Sequence, residues 1–232
     1  MSAATRTAHF SRYTFDFLRQ LKGQNNRPWF QRNKGRYVSD VRDPVLRFIA
    51  AAGPGLKKIS PHFVADASPT GGSMMRIYRD IRFSKDKTPY KAGVGVHFRH
   101  ARGGEGASPA FYLRIEPDNS AVGGGIWRPE PRALARIRDA IAAHPKQWAL
   151  ATSGREFRSA CGMGGESSHR PPRGYDPAHP FIEDIKRKDF AVSTGFSDAQ
   201  VCGSDFMAAF LDVLRISAPF MKFLTEALGL PF

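Results

Sequence analysis

Residues 76–91, RIYRDIRFSKDKTPYK, concentrate groups that bind anions. Arg76, Arg79, Arg82, Lys85, Lys87 and Lys91 stand among only two acids, Asp80 and Asp86, with Tyr78, Phe83 and Tyr90 threaded between them. Guanidinium groups grip phosphate or carboxylate oxygens as planar forks, and ammonium groups act as compact point charges. Ser84 and the backbone N–H groups ahead of Pro89 offer a further anion-binding concavity. Tyr78 and Tyr90 could stack on a ligand or hydrogen bond to it. Two aspartates leave four positive charges unmatched within the stretch. That excess must face solvent, acids elsewhere such as Glu116 or Asp118, or an anion from outside.

The same residues also suit a structural clasp, because ion-pair networks resemble sites. If the stretch is extended, Arg76, Tyr78, Asp80 and Arg82 share a face. If it is helical, Arg76, Arg79 and Asp80 group, with Arg82 and Phe83 on the next turn. Substituting Arg79 or Lys87 by Ala separates a clasp from a site.

A second set of polar groups follows directly. Val94, Val96 and Phe98 alternate with Gly95, His97 and Arg99. Phe111, Leu113 and Ile115 alternate with Tyr112, Arg114 and Glu116. Period two marks strands with one apolar and one polar face. His97, Arg99, Tyr112, Arg114 and Glu116 therefore become candidates to line a site with Asp80, Asp86 and the basic residues. An enzyme acting on an anionic substrate is the alternative to a binding protein. Its proton-transfer groups would be Asp80, Asp86, His97 or Tyr112, and the cations would stabilise developing charge.

Other chemistries have little support. The seven His lack HExxH spacing, so no metal is expected. No Walker A loop, GxGxxG or GxSxG stretch is present, and no cofactor is implied. Cys161 and Cys202 form no CxxC pair and no visible His-paired nucleophile.

These groups need a scaffold. Residues 10–22 read as a helix, with Phe10, Phe17, Leu18 and Leu21 in register and Tyr13 and Phe15 widening the apolar side. NNRPWF starts a second helix, with Asn26 as N-cap, Pro28 in the first turn, and Trp29, Phe30, Tyr37 and Val41 toward the core. Asn25 reads as part of that helix start, or as an amide presented to the site. Pro44 should end or kink this helix, and GPG at 53–55 should terminate its continuation. Strands at 94–100, 110–116 and 120–127 form a meander, and Gly123–Gly125 marks a bulge or close backbone approach. Helices follow at about 130–143 and 145–160, then a long loop at 161–180. A short helix near 180–187, a strand at 189–194 and a last helix at about 204–228, bent at Pro219, complete the chain. The class is α+β: an antiparallel β-meander with helices packed on one face. The expected organisation is a flexible tail at 1–9 and a single domain over 10–230.

The chain has 232 residues and carries a net charge of +14. Residues 1–60 hold twelve basic and three acidic side chains, whereas residues 151–232 hold nine and ten. The positive field thus belongs to the first two-thirds, which favours an anionic ligand, nucleic acid included. Two cysteines, no signal-peptide run and no membrane-length apolar stretch point to a cytoplasmic protein with no membrane partner. No oligomeric state is legible in the pattern.

NNRPWF, RIYRDIRFSKDKTPYK, GGGIWRPEPRALARIRDAI (123–141) and RGYDPAHP (173–180) together resemble a conserved family of unknown function in bacteria and fungi. The resemblance runs from Phe10 to about Leu230. It implies a single intracellular domain and brings no activity, substrate or cofactor with it.

Overall fold

The computed structural model describes residues 7–104 and 106–232. Of the expected tail, residues 1–6 lie outside the described residues. His9 meets the ring of Phe48 edge-on at 5.5 Å, and Phe10 is in the core.

Helix α1 spans Arg12–Gly23 and buries Phe15, Phe17, Leu18 and Leu21. Tyr13 stays exposed, under the Arg12 guanidinium. Helix α2, Arg27–Arg32, starts as its sequence suggests: Asn26 accepts a hydrogen bond from the Trp29 N–H, and Pro28 sits in the first turn. The chain continues through a short turn of helix, α3 (Lys34–Arg36), and a π-helical stretch over Tyr37–Arg42.

Helix α4, Asp43–Ile59, begins where the π-helical stretch ends, with Pro44 in its first turn, as a proline that breaks the preceding helix would sit. One expectation is corrected: the helix runs on through Gly53, Pro54 and Gly55. A Cβ on Gly55 would lie 2.5 Å from Cδ1 of Leu211, so this glycine lets α4 approach the C-terminal helix closely.

The strands are β1 (Val94–Arg99), β2 (Ala110–Ile115), β3 (Ser120–Ile126), β4 (Gly162–Gly164) and β5 (Phe190–Phe196). They form a five-stranded sheet in the order β1-β2-β3-β5-β4, and every neighbouring pair is antiparallel. The β1–β2–β3 meander matches the alternation in the sequence. Strand β4 lies inside the stretch expected to be wholly loop. Its three residues, Gly-Met-Gly, carry too little pattern to read.

Between β3 and β5 lie helices α5 (Pro131–Ala143), α6 (Pro145–Thr152), α7 (Arg155–Ala160) and α8 (Ile182–Ile185). After β5, Ser197 and Gln200 close a capping box on α9 (Asp198–Cys202). Helix α10, Phe206–Ala227, then carries Pro219 in its interior and buries Phe210, Leu214, Phe220, Met221 and Leu224.

Register decides which sheet face the helices take. Phe111 lies opposite Gly124, Leu113 opposite Val122, and Gly124 opposite Val192. A Cβ on Gly124 would sit 2.7 Å from the Met221 sulfur, so α10 packs on this apolar face. The other face presents Arg99, Ala110, Gly125 and Ala191 in one cross-strand row and His97, Tyr112, Gly123 and Ser193 in the next.

The basic stretch is neither strand nor helix. Its ends pair through a single bridge between Tyr78 and Tyr90. The Arg79 N–H donates to the Pro89 carbonyl at 2.9 Å, and the Lys91 N–H to the Ile77 carbonyl at 2.8 Å. Residues 79–89 are thereby pinched into an irregular loop.

Candidate functional site

The sheet face turned away from α10 holds a cleft of about 590 Å³. Its floor is made of small residues, Gly95, Ala110, Gly125 and Ala191, from four different strand positions. Polar side chains stand over that floor because the strands place them there. His97 and Tyr112 are direct cross-strand partners, Arg114 lies opposite Gly95, and Arg99 lies opposite Ala110. Side chains directly opposite in an antiparallel pair have Cβ atoms about 5 Å apart. Lys91, Gly93 and Glu116 border one side, and the β1–β2 connection contributes Gly104, Gly106 and Ser108. Trp127 completes the lining and is 58% exposed.

Tyr112 is fixed across the floor. Its hydroxyl donates to the Val192 carbonyl at 3.3 Å, passing over Gly123. A Cβ on Gly123 would lie 2.8 Å from that hydroxyl and 2.0 Å from the Val192 carbonyl oxygen. Burial raises the Tyr112 phenol above its ordinary range, against the pull of a hydrogen bond with Ser193. It is therefore a neutral hydrogen-bonding group at physiological pH rather than a phenolate base.

Arg114 is held by Asn119 and by a long ion pair. Its Nε donates to the Asn119 carbonyl at 2.9 Å and its Nη2 to Asn119 Oδ1 at 2.8 Å, while Glu116 stands 3.9 Å away. Glu116 also accepts from the Asn119 amide at 3.1 Å. Lys91, Arg99 and Arg114 thus give the lining three cations against one acid among the described residues.

Of the residues singled out in the sequence, the cleft gathers Lys91, His97, Arg99, Tyr112, Arg114 and Glu116. Arg76, Tyr78, Arg79, Asp80, Arg82, Lys85, Asp86, Lys87 and Tyr90 do not line it. Asp86 pairs with Arg79, which also donates to Thr88, and accepts from the Thr88 N–H at 2.9 Å. Asp80 pairs with Arg82 through a two-pronged contact at 3.0 and 2.7 Å. The Arg82 side chain and backbone hold the Asp80 carboxyl down at about 2. The Thr88 N–H, then Arg79, hold Asp86 at about 2 as well. Lys87 donates to the Ile81 carbonyl at 3.0 Å.

Tyr90 is 2% exposed and stacks on Phe30 at 4.1 Å, so its ring is part of the core. The Asn25 amide donates to the Tyr90 carbonyl at 2.9 Å and accepts from the Tyr90 N–H at 3.0 Å. Asn25 therefore ties NNRPWF to the end of the basic stretch, while Asn26 does the capping. Nor do the more distant acids absorb the positive excess: Asp118 pairs with Arg19, and Glu116 faces Arg114.

Trp127 is a lining residue that the strand period locates. It continues the alternation of Gly123 and Gly125 past the end of β3, which places it toward the open face. Burial raises the thiols of Cys161 and Cys202, which removes them as thiolate nucleophiles. Among the described residues no cluster of three or more His, Cys, Asp or Glu side chains could hold a metal ion. No helix of the described residues is long and apolar enough to cross a membrane.

The family model described as Conserved hypothetical protein (DUF2461) matches residues 13–223. No curated protein matches the chain. No solved structure matches it.

Proposed function

The chain belongs to the DUF2461 family of conserved hypothetical proteins, and we propose that it binds a small phosphate-bearing anion in the cleft on the open sheet face. The observation that carries this reading is the cleft lining itself. Lys91, Arg99 and Arg114 surround a floor of small residues, with one acid among the described residues of the lining and Trp127 at its side. A volume of about 590 Å³ lies in the range of small-molecule sites. Arg114 is oriented by Asn119, so less of its mobility is lost when an anion is gripped. The basic stretch takes part through Lys91, and its remaining charges add to the attracting field.

Binding is preferred to catalysis on one point. Tyr112 is locked to the Val192 carbonyl and pushed toward its neutral form. His97 beside it and Glu116 at the border are the groups through which a proton-transfer role would run.

Calorimetric titration with inorganic phosphate and a panel of nucleoside monophosphates tests the proposal. Saturable one-to-one binding is expected. Arg99→Ala or Arg114→Ala should each weaken it by roughly ten- to a hundredfold, the range for a lost charge-assisted hydrogen bond. Affinity unchanged in the Arg99→Ala/Arg114→Ala double variant would remove the cleft as the site.

A further inference from the structure

The loop pinched between Tyr78 and Tyr90 carries a ring that the fold does not use. Phe83 is 95% exposed, whereas the other two aromatics of the stretch pack together, their centroids 5.5 Å apart. A phenylalanine ring held fully in water forgoes the stabilisation that burial would bring. Here it sits at the tip of a loop that is internally braced. Arg79 ties Asp86 and Thr88, Arg82 ties Asp80, and the Lys87 ammonium caps the Ile81 carbonyl. Beneath the tip, the Tyr78–Tyr90 bridge and the two Asn25 hydrogen bonds anchor the stem to α2.

The surroundings of the ring are cationic. The Arg82 guanidinium lies 5.8 Å from its centroid. Lys85 makes no hydrogen bond or ion pair with a described residue, and Arg76 acts on Asp80 only through its field. Both loop acids are already engaged with arginines. Tyr78, half exposed at the base, offers a second ring.

We infer that this loop is a docking finger for single-stranded nucleic acid, with the Phe83 ring stacking on an unpaired base and Arg76, Lys85 and Lys87 facing the phosphates. Exposed rings interleaved with cations are what single strands use, because every base has a face to stack and every linkage has a charge. A duplex hides its base faces from such a ring. One phenylalanine buries too little apolar area to anchor the chain on a bilayer. The finger requires nothing bound in the cleft.

Fluorescence anisotropy tests this with the full chain and three probes: a labelled single strand of about twelve nucleotides, the matching duplex, and vesicles of phosphatidylserine in phosphatidylcholine. Tighter binding to the single strand is expected. Phe83→Ala should weaken it about tenfold with little change in melting temperature, since the ring is 95% exposed and meets only the Arg82 guanidinium. Phe83→Trp should restore it. Lys85→Ala should reduce the salt slope of log affinity by about 0.7. Wild-type affinity in Phe83→Ala, a preference for duplex, or binding to vesicles alone would each overturn the finger. Strand binding lost in Arg99→Ala but kept in Phe83→Ala would overturn it too, while favouring the cleft.

Discussion

Asn25 uses both ends of its amide on one residue. It donates to the Tyr90 carbonyl and accepts from the Tyr90 N–H, as a neighbouring strand would. It thereby pairs the Tyr90 N–H and carbonyl, which the hydrogen bonds of the Tyr78–Tyr90 bridge leave open. Phe30, five residues on, stacks on the Tyr90 ring. Stem, helix start and core ring are therefore one unit, and the amide is its least replaceable part. Asn25→Ala leaves a largely buried N–H and carbonyl without partners, which costs about 1–3 kcal/mol. Asn25→Asp should cost a comparable amount, because a carboxylate accepts but cannot donate to the carbonyl. Urea denaturation midpoints read both values. A midpoint unchanged in Asn25→Ala would show that the two hydrogen bonds contribute nothing net.

At the scale of elements, the glycines of β3 allow the open face to be a cleft. Gly123 leaves room for the Tyr112 ring to cross toward β5, and Gly125 adopts φ of 142°, where a side chain would be strained. Gly123→Ala would drive a methyl into the Val192 carbonyl and the Tyr112 hydroxyl. We expect a loss of roughly 3 kcal/mol or more, the class of a strained core substitution. Gly195 on β5 has nothing within 4 Å of a built Cβ, so Gly195→Ala should be neutral or stabilise by up to about 1 kcal/mol. Chemical denaturation of the two variants checks the contrast, and equal effects would mean that the close approach is not what constrains β3. The alternation of Val94, Val96 and Phe98 against Phe111, Leu113 and Ile115 made the meander and its polar face legible, because a half-buried strand writes its burial with period two. It could not show that GPG at 53–55 stays helical, since that depends on Leu211 arriving from far along the chain. Nor could it place residues 76–91, whose order comes from Asn25 and from ion pairs rather than from any repeating pattern. The candidate site was legible in part for the same reason: His97, Arg99 and Tyr112 follow the strand period, whereas Arg79 pairs with Asp86 and Arg82 with Asp80 inside the loop.

Across the whole molecule, the packed core and the proposed ligand chemistry fall on different sides of the sheet. Helix α10 and its aromatic neighbours cover one face, while Lys91, Arg99 and Arg114 line the cleft on the other. Substitutions should separate accordingly. Arg79→Ala removes the partner of Asp86 and a contact to Thr88, so it should lower the melting temperature modestly while leaving phosphate affinity in the cleft intact. Arg99→Ala should do the reverse. The pH dependence gives the split a sharper form. Asp86 has its pKa lowered to about 2, first by the Thr88 N–H and then by Arg79. A carboxyl with a depressed folded-state pKa stabilises the fold above its unfolded value, near 3.8, and that contribution disappears as pH falls through about 2. The melting temperatures of Arg79→Ala and the unsubstituted chain should therefore differ by a constant amount from neutral pH down to about 4, then converge toward pH 2. A difference that persists at pH 2 would assign the role of Arg79 to Thr88 rather than to the charge on Asp86. A loss of phosphate binding in Arg79→Ala at neutral pH would show that the loop and the cleft act as one site.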